Sequence, residues 1–212
     1  MDLAKYIDHT ILKPEATSQD VERLCSEAAI HQFAAVCVNP CYVELASHLL
    51  AGTGVKVATV IGFPLGANLP VVKAFEAEQA ALQGADEIDM VINIGAAKQG
   101  NWEVVLDDIR HVVAGAKGCT VKVIVETALL TEDEKKMVCN LILTSGAHYI
   151  KTSTGFSSGG AAVADIELFK GIVGEKIGIK ASGGIRTRQE AVAMITAGAT
   201  RLGTSAGVAM SI

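Results

Sequence analysis

The ten residues "TSGAHYIKTS" (144–153) join a helix end to a strand across a single glycine. Thr144 and Ser145 close an amphipathic stretch, Gly146 supplies the left-handed conformation that stops a helix, and "HYIK" follows with strand character. The same grammar returns in "LQGADEIDMV" (82–91) and "TAGATRLGTS" (196–205). The three copies start 62 and 52 residues apart, with room for one further helix–strand pair in each interval. A solenoid would repeat at a short fixed period, so this spacing predicts alternating α and β units.

The same signals elsewhere give strands near 6–9, 34–38, 55–61, 87–92, 121–126, 148–151, 177–181 and 201–204. Amphipathic segments at 19–31, 40–50, 68–83, 102–116, 131–144, 163–173 and 187–197 lie between them. Ser18, Asn39 ahead of Pro40, Asn101, and Thr131 with Glu134 three residues on are the expected caps. Eight strands alternating with seven or eight helices predict an α/β fold, a (β/α)8 TIM barrel. No Pro/Gly/Ser linker or low-complexity stretch divides the chain, so residues 1–212 are expected to form one domain. A doubly wound open sheet is the competing arrangement; count and regularity favour the barrel.

Composition narrows the function. Half the residues are hydrophobic, only 19% are charged, and small aliphatics dominate, as expected for strands covered by helices on both faces. A net charge of −5 argues against nucleic acid as a partner. The five cysteines form no CxxC and no zinc spacing, which reads as buried thiols in a reducing cytoplasm. No apolar run is long enough to cross a membrane and no targeting segment is recognisable, so no membrane partner is expected.

Strand parity carries more. In "EIDMVIN" Ile88, Met90 and Ile92 share one face, opposite Glu87, Asp89 and Val91. In "VKVIVE" Val121, Val123 and Val125 oppose Lys122, Ile124 and Glu126, and in "IGIK" Ile177 and Ile179 oppose Gly178 and Lys180. The wholly apolar faces are expected to meet the helices, leaving charge inside the barrel. A barrel filled for stability alone would carry branched aliphatics there.

Lys151 and Lys180 end neighbouring strands, at the carboxyl face where such barrels do chemistry. Either could be a structural cation paired with Asp89, Glu87 or Glu126. Two adjacent amines weaken that reading, because they repel. At a spacing of roughly 6 Å and an effective dielectric of about 20, the repulsion is roughly 3 kcal/mol, about two pKa units. Desolvation pushes the same way, so one amine should be substantially neutral near neutral pH and nucleophilic towards carbonyls. Lys151 is thus placed to make an imine. The glycine-rich stretches "ASGGIR" (181–186) and "GTSAG" (203–207) follow the seventh and eighth strands, where barrels recurrently grip phosphate through backbone N–H groups. Gly155 is positioned to complete that cradle.

The stretches "KTSTGF", "KASGGIR", "EIDMVINIG" and "VKVIVET" resemble the deoxyribose-phosphate aldolase family of class I aldolases, and the similarity runs from "YIDHTILKPEAT" to "RLGTSAG". The resemblance implies a carbon–carbon lyase of deoxyribose phosphate catabolism. Its reaction is reversible cleavage of 2-deoxy-D-ribose 5-phosphate to acetaldehyde and D-glyceraldehyde 3-phosphate, with no cofactor and no metal. It implies Lys151 as the Schiff-base lysine, with Asp89 and Lys180 exchanging protons and Lys180 perturbing Lys151. Gly155, Gly183, Gly184 and Ser205 match positions around the phosphate. Asp8, Cys37 and Lys122 match the pocket's interior, although Cys37 reads first as a small buried filler. The partners implied are sugar phosphates, aldehydes and further copies of the chain, as a dimer or tetramer.

Two departures stand out. Phe156 occupies a position where some members carry a further lysine, so the phosphate is expected to rely on backbone donors. The last strand leaves room only for a short final helix, and the tyrosine-ended tail of longer members has no counterpart in these residues. The histidines (His9, His31, His48, His111, His148) form no HxH or HExxH pair, which disfavours a metal-dependent aldolase. A non-catalytic sugar-phosphate sensor would not need two inward lysines. A phosphate-gripping isomerase would want a Glu or His base instead of an imine-forming lysine.

Overall fold

Short segments bounded by turn residues form β1 (Ile7–Ile11), β2 (Ala35–Val38), β3 (Lys56–Ile61), β4 (Glu87–Val91), β5 (Thr120–Ile124), β6 (Tyr149–Lys151), β7 (Gly178–Ser182) and β8 (Arg201–Thr204), with β2, β3 and β5 rich in Val, Ile and Ala. In this computed structural model, which describes residues 1–211, the strands close in chain order into a parallel barrel, β8 pairing back onto β1. The helices are α1 (Ser18–His31), α2 (Val43–Leu50), α3 (Pro70–Leu82), α4 (Ile94–Lys98), α5 (Trp102–Gly115), α6 (Glu132–Ser145), α7 (Val163–Val173), α8 (Arg188–Ala197) and α9 (Gly207–Ser211). The expected barrel is therefore formed, and the open sheet is not. Among the described residues no helix is long and apolar enough to cross a membrane.

The Gly-Ala repeat has a structural meaning. In each copy the residue just before the strand, Asp86, His148 or Thr200, reaches back to the second residue of the preceding strand. Their backbone N–H groups donate to the carbonyls of Val57, Val121 and Ile179 at 2.8, 2.9 and 2.8 Å. Their side chains accept the N–H of those same three residues at 2.9, 3.0 and 3.1 Å. The motif thus clips β4 to β3, β6 to β5 and β8 to β7 at the amino-terminal rim. At His148 the accepting atom is Nδ1, which places the proton of the neutral ring on Nε2.

Some local expectations change. The cap of α1 is Thr17, one residue before Ser18, in a capping box with Asp20. Asn101 and Thr131–Glu134 cap as expected, and Thr187 with Glu190 adds another box. Segment 40–50 splits into a 3-10 turn (Pro40–Tyr42) and α2, and Asn39 makes no side-chain cap bond. Helix α4, capped by Asn93, was not expected at all. Five residues are too few to show a period.

Ile88, Met90, Ile92, Val121, Val123, Val125 and Ile179 face outward into one core beneath the helices, as parity required. Inside the barrel a second apolar cluster of Leu12, Ala35, Cys37, Ala58 and Val60, with Phe63 against it, fills the β1–β3 side. Across the barrel from it, inward positions of β4 to β8 carry charges.

Candidate active site

Register brings the inward charges together. Asp89 stands beside Lys122 across β4–β5, Lys151 beside Lys180 across β6–β7, and Lys180 beside Arg201 across β7–β8. Lys122 donates to Asp89 Oδ1 at 2.7 Å, while Lys151 and Lys180 both reach Oδ2, at 2.8 and 2.6 Å. Lys122 also pairs with Glu87 at 2.6 Å, and Lys180 with Asp8. Arg201 bridges Asp8 and Glu87, its contact to Glu87 being 2.9 Å. Asp8, Asp89, Lys122 and Lys180 are wholly buried and Lys151 nearly so.

Each group responds to this crowding differently. Burial pushes the Asp89 carboxyl up, but Lys122, Lys151 and Lys180 overcome it and hold Asp89 well below the carboxylate range. Asp8, opposed by burial but flanked by Lys180, Arg201 and Lys122, is held down at about 2. Burial lowers Lys180 and Lys122, yet the carboxylates beside them raise both net. Lys151 alone among the three lysines falls: burial lowers it first, Asp89 opposes, and Lys180 adds to the fall. Three carboxylates (Asp8, Glu87, Asp89) face four cations (Lys122, Lys151, Lys180, Arg201). One proton is surplus to a neutral cluster, and Lys151 is where it is most easily lost.

Lys151 is also the lysine of the three that opens onto space. It lines a cleft of about 430 Å³ at the carboxyl face, together with Gly155, Gly183, Gly184 and Ser205. Asp89, Lys180, Lys122, Asp8 and Cys37 lie beneath the cleft and not on its wall. Burial raises the Cys37 thiol, in keeping with an inert filler in the apolar half of the barrel. Gly155, Gly183 and Gly184 have φ of 84°, 90° and 80°, and a β-carbon on Gly184 would meet nothing within 4 Å, so that glycine faces the open cleft.

Several residues escaped the sequence reading. Arg201 holds Asp8 and Glu87, and its inward parity, opposite Leu202, was the available signal. Lys13 and Arg186 line the cleft, so its mouth carries more positive charge than Phe156 led one to expect. Glu126 is the other correction. Strand β5 ends at Ile124, Glu126 turns to φ 54°, and it pairs with no cation among the described residues. Among those residues no group of three or more His, Cys, Asp or Glu is arranged to hold a metal ion.

A closed parallel barrel with a depressed lysine at the floor of a glycine-rimmed cleft defines a barrel enzyme of the kind that handles carbonyl substrates. The chain belongs to the DeoC/LacD family of aldolases, whose model matches residues 3–211. It is 58% identical over 210 residues to a deoxyribose-phosphate aldolase of Streptococcus suis, covering 99% of this chain and 96% of that relative. A deoxyribose-phosphate aldolase of Enterococcus faecalis is 57% identical over 211 residues, with the same coverage of 99% and 96%. Among solved structures, the tetrameric deoxyribose phosphate aldolase of Aeropyrum pernix superposes with a TM-score of 0.92 at 35% identity, over 99% of this chain and 89% of that one.

Proposed function

We propose that the chain cleaves 2-deoxy-D-ribose 5-phosphate reversibly to acetaldehyde and D-glyceraldehyde 3-phosphate through an imine on Lys151. The observation that carries this reading is the position of Lys151. It is the cluster's cleft-lining amine, its proton is the most weakly held of the three, and the glycine loops share its cleft.

The chemistry follows from the neighbours. Neutral Lys151 adds to the aldehyde carbon of the open-chain sugar and loses water, giving an iminium whose positive charge lies beside the Asp89 carboxylate. Removal of the 3-hydroxyl proton sends the C2–C3 electron pair into the iminium, releasing glyceraldehyde 3-phosphate and leaving an enamine. Protonation at C2 and hydrolysis then free acetaldehyde and Lys151. Asp89 contacts both Lys151 and Lys180 through one oxygen, so a proton can pass along this line, with Lys180 as its protonated reservoir. Gly155, Gly183, Gly184 and Ser205 would hold the phosphate through backbone N–H groups, with Lys13 and Arg186 adding charge at the rim.

Trapping tests the reading. Acetaldehyde with borohydride should attach two carbons irreversibly to Lys151 and abolish turnover. An adduct confined to other residues would remove the imine from Lys151. The setting proposed is deoxyribose phosphate catabolism in the cytoplasm, which suits five free cysteines.

The chain is further proposed to act as a homo-oligomer. Helix α3 buries Lys73, Ala77 and Ala80 inward, yet exposes Val71, Val72, Phe75 and Leu82 outward, with Leu65 and Leu69 ahead of it. A second apolar stripe on the solvent side of a helix is the mark of a contact between subunits. The tetrameric relative supports that reading.

A further inference from the structure

Glu126 is a buried carboxylate with no cation beside it among the described residues, in a left-handed conformation that glutamate rarely adopts. The other two non-glycine residues of positive φ among those described, Gln32 and Lys117, sit on exposed helix ends where such a turn is ordinary. Glu126 instead lies at the carboxyl rim of the barrel. Val125 N–H donates to Lys151 C=O and Thr127 N–H to Thr152 C=O, both at 3.0 Å. Three residues on this side therefore face two on the other, which is a bulge, and bulges beside active sites re-aim side chains. Without it, Glu126 would continue the inward face of Lys122 and Ile124 into the lysine cluster.

The bulge turns Glu126 onto one target. Its Oε2 accepts the Thr154 N–H at 3.2 Å and the Thr154 hydroxyl, and that hydroxyl oxygen in turn accepts the Phe156 N–H at 3.1 Å. The segment so braced, Thr154–Gly155–Phe156, forms one wall of the cleft, and its centre is Gly155 at φ 84°. The second oxygen, Oε1, is buried without a partner, so one acceptor atom carries the arrangement.

We propose that Glu126 is a positioning residue: its carboxylate oxygen fixes the Thr154–Phe156 turn so that Gly155 meets the phosphate of the substrate. This rests on the cleft's reading as a sugar-phosphate site. Glu126 touches neither the imine nor the sugar; it acts through Thr154.

Glycine adopts the conformation of residue 126 without strain but has no acceptor, so Glu126→Gly removes the brace while sparing the backbone. Glutamine keeps a carbonyl oxygen for Thr154, loses the charge and puts an amide nitrogen where Oε1 has no partner. For Glu126→Gly the expected result is a KM for deoxyribose 5-phosphate raised about tenfold or more, with kcat within about twofold. The kinetics for unphosphorylated deoxyribose and the borohydride trapping of acetaldehyde should stay at wild-type level. Glu126→Gln should stay within about threefold of wild type throughout. Glu126→Asn, which tolerates the left-handed turn but is one methylene too short to reach Thr154, should reproduce the glycine phenotype if the glycine variant folds poorly. Amide exchange at Thr154 and Phe156 should rise in both short variants. An unchanged KM for the phosphorylated sugar, an equal loss for both sugars, or a glutamine variant as impaired as the glycine one would overturn the proposal. A wild-type enzyme with no preference for the phosphorylated sugar would instead refute the phosphate reading of the cleft.

Discussion

Lys151 and Lys180 donate to the same oxygen of Asp89, at 2.8 and 2.6 Å. The amines are therefore closer than the roughly 6 Å assumed from strand spacing, and their repulsion exceeds the roughly 3 kcal/mol that spacing implied. The carboxylate between them resolves the conflict unevenly. Lys180 has a second partner in Asp8 and stays charged; Lys151 has Asp89 alone and an opening to the cleft.

Removing the cation from Lys180 tests that division. Lys180→Met should leave Asp89 more fully to Lys151, so the apparent pKa for imine formation should rise. Burial is the larger cause of the lowering, so part of it should survive the substitution. Turnover near pH 7 should fall about a hundredfold or more if Lys180 is the proton donor proposed above. The check is the pH profile of borohydride trapping, with circular dichroism confirming the fold. A wild-type profile would take Lys180 out of the chemistry.

The same cluster predicts how the enzyme fails in acid. Asp8 sits at about 2 when folded against a reference value of 3.8. A depressed carboxylate contributes stability that is complete above the unfolded value and lost as pH falls through the folded one. For Asp8 the contribution is about 2 kcal/mol, and Asp89 acts in the same direction. Urea unfolding should show stability level above about pH 5 and falling steeply between about pH 4 and 2. Asp8→Asn should flatten that fall. At pH 7 it should cost about 3–5 kcal/mol, because Lys180 and Arg201 lose a buried partner. A variant with the wild-type acid slope would assign the loss to other carboxylates.

Metal removal should do nothing. Prolonged dialysis against EDTA is expected to leave cleavage unchanged, since the proposed iminium would itself be the electron sink and the described residues offer no ligand cluster. Activity lost to EDTA and restored by zinc would replace the imine with a different chemistry.

The apolar outer face of α3 makes a separate prediction. Phe75 is 61% exposed at the middle of that stripe. Phe75→Glu should shift the protein to a smaller species in sedimentation while leaving its thermal unfolding cooperative. An unchanged sedimentation coefficient would remove this face of α3 from the proposed subunit contact.

The fold was legible because its signals are periodic. Gly84, Gly146 and Gly198 end helices, and alternation in "EIDMVIN" and "VKVIVE" separates an apolar outer face from a charged inner one. Asp89 and Lys180 were legible for the same reason, as charges at inward parity, and Lys151 as an amine at the end of the neighbouring strand. What stayed hidden depends on depth or on a single dihedral. The strand patterns put Lys122 and Lys180 inside and Lys151 at a strand end, but only the closed barrel shows Lys151 reaching the cleft. Parity placed Glu126 on the inward face, and its left-handed turn redirects it from the lysines to Thr154. Burial, which outweighs Lys180 in lowering Lys151, belongs to the assembled barrel and to no local pattern.

Two adjacent glycines of the proposed phosphate cradle differ in what surrounds them, one packed on the scaffold and one facing the open cleft. A β-carbon on Gly183 would lie 3.0 Å from the Gly160 Cα and 3.3 Å from the Ser153 Cβ, where the loop after β6 packs on the loop after β7. Gly183→Ala should therefore displace that loop and lower the melting temperature and activity on every substrate. At Gly184 a β-carbon would stand in the open cleft, so Gly184→Val should fill the space the anion needs, with added strain from its φ of 80°. The expected result is a kcat/KM for deoxyribose 5-phosphate that falls much further than that for unphosphorylated deoxyribose, while acetaldehyde trapping on Lys151 persists. The deciding quantity is the ratio of the two kcat/KM values in wild type and variant. If Gly184→Val lowers both equally, the loop after β7 serves the fold or the chemistry, and the phosphate must be held elsewhere on the rim.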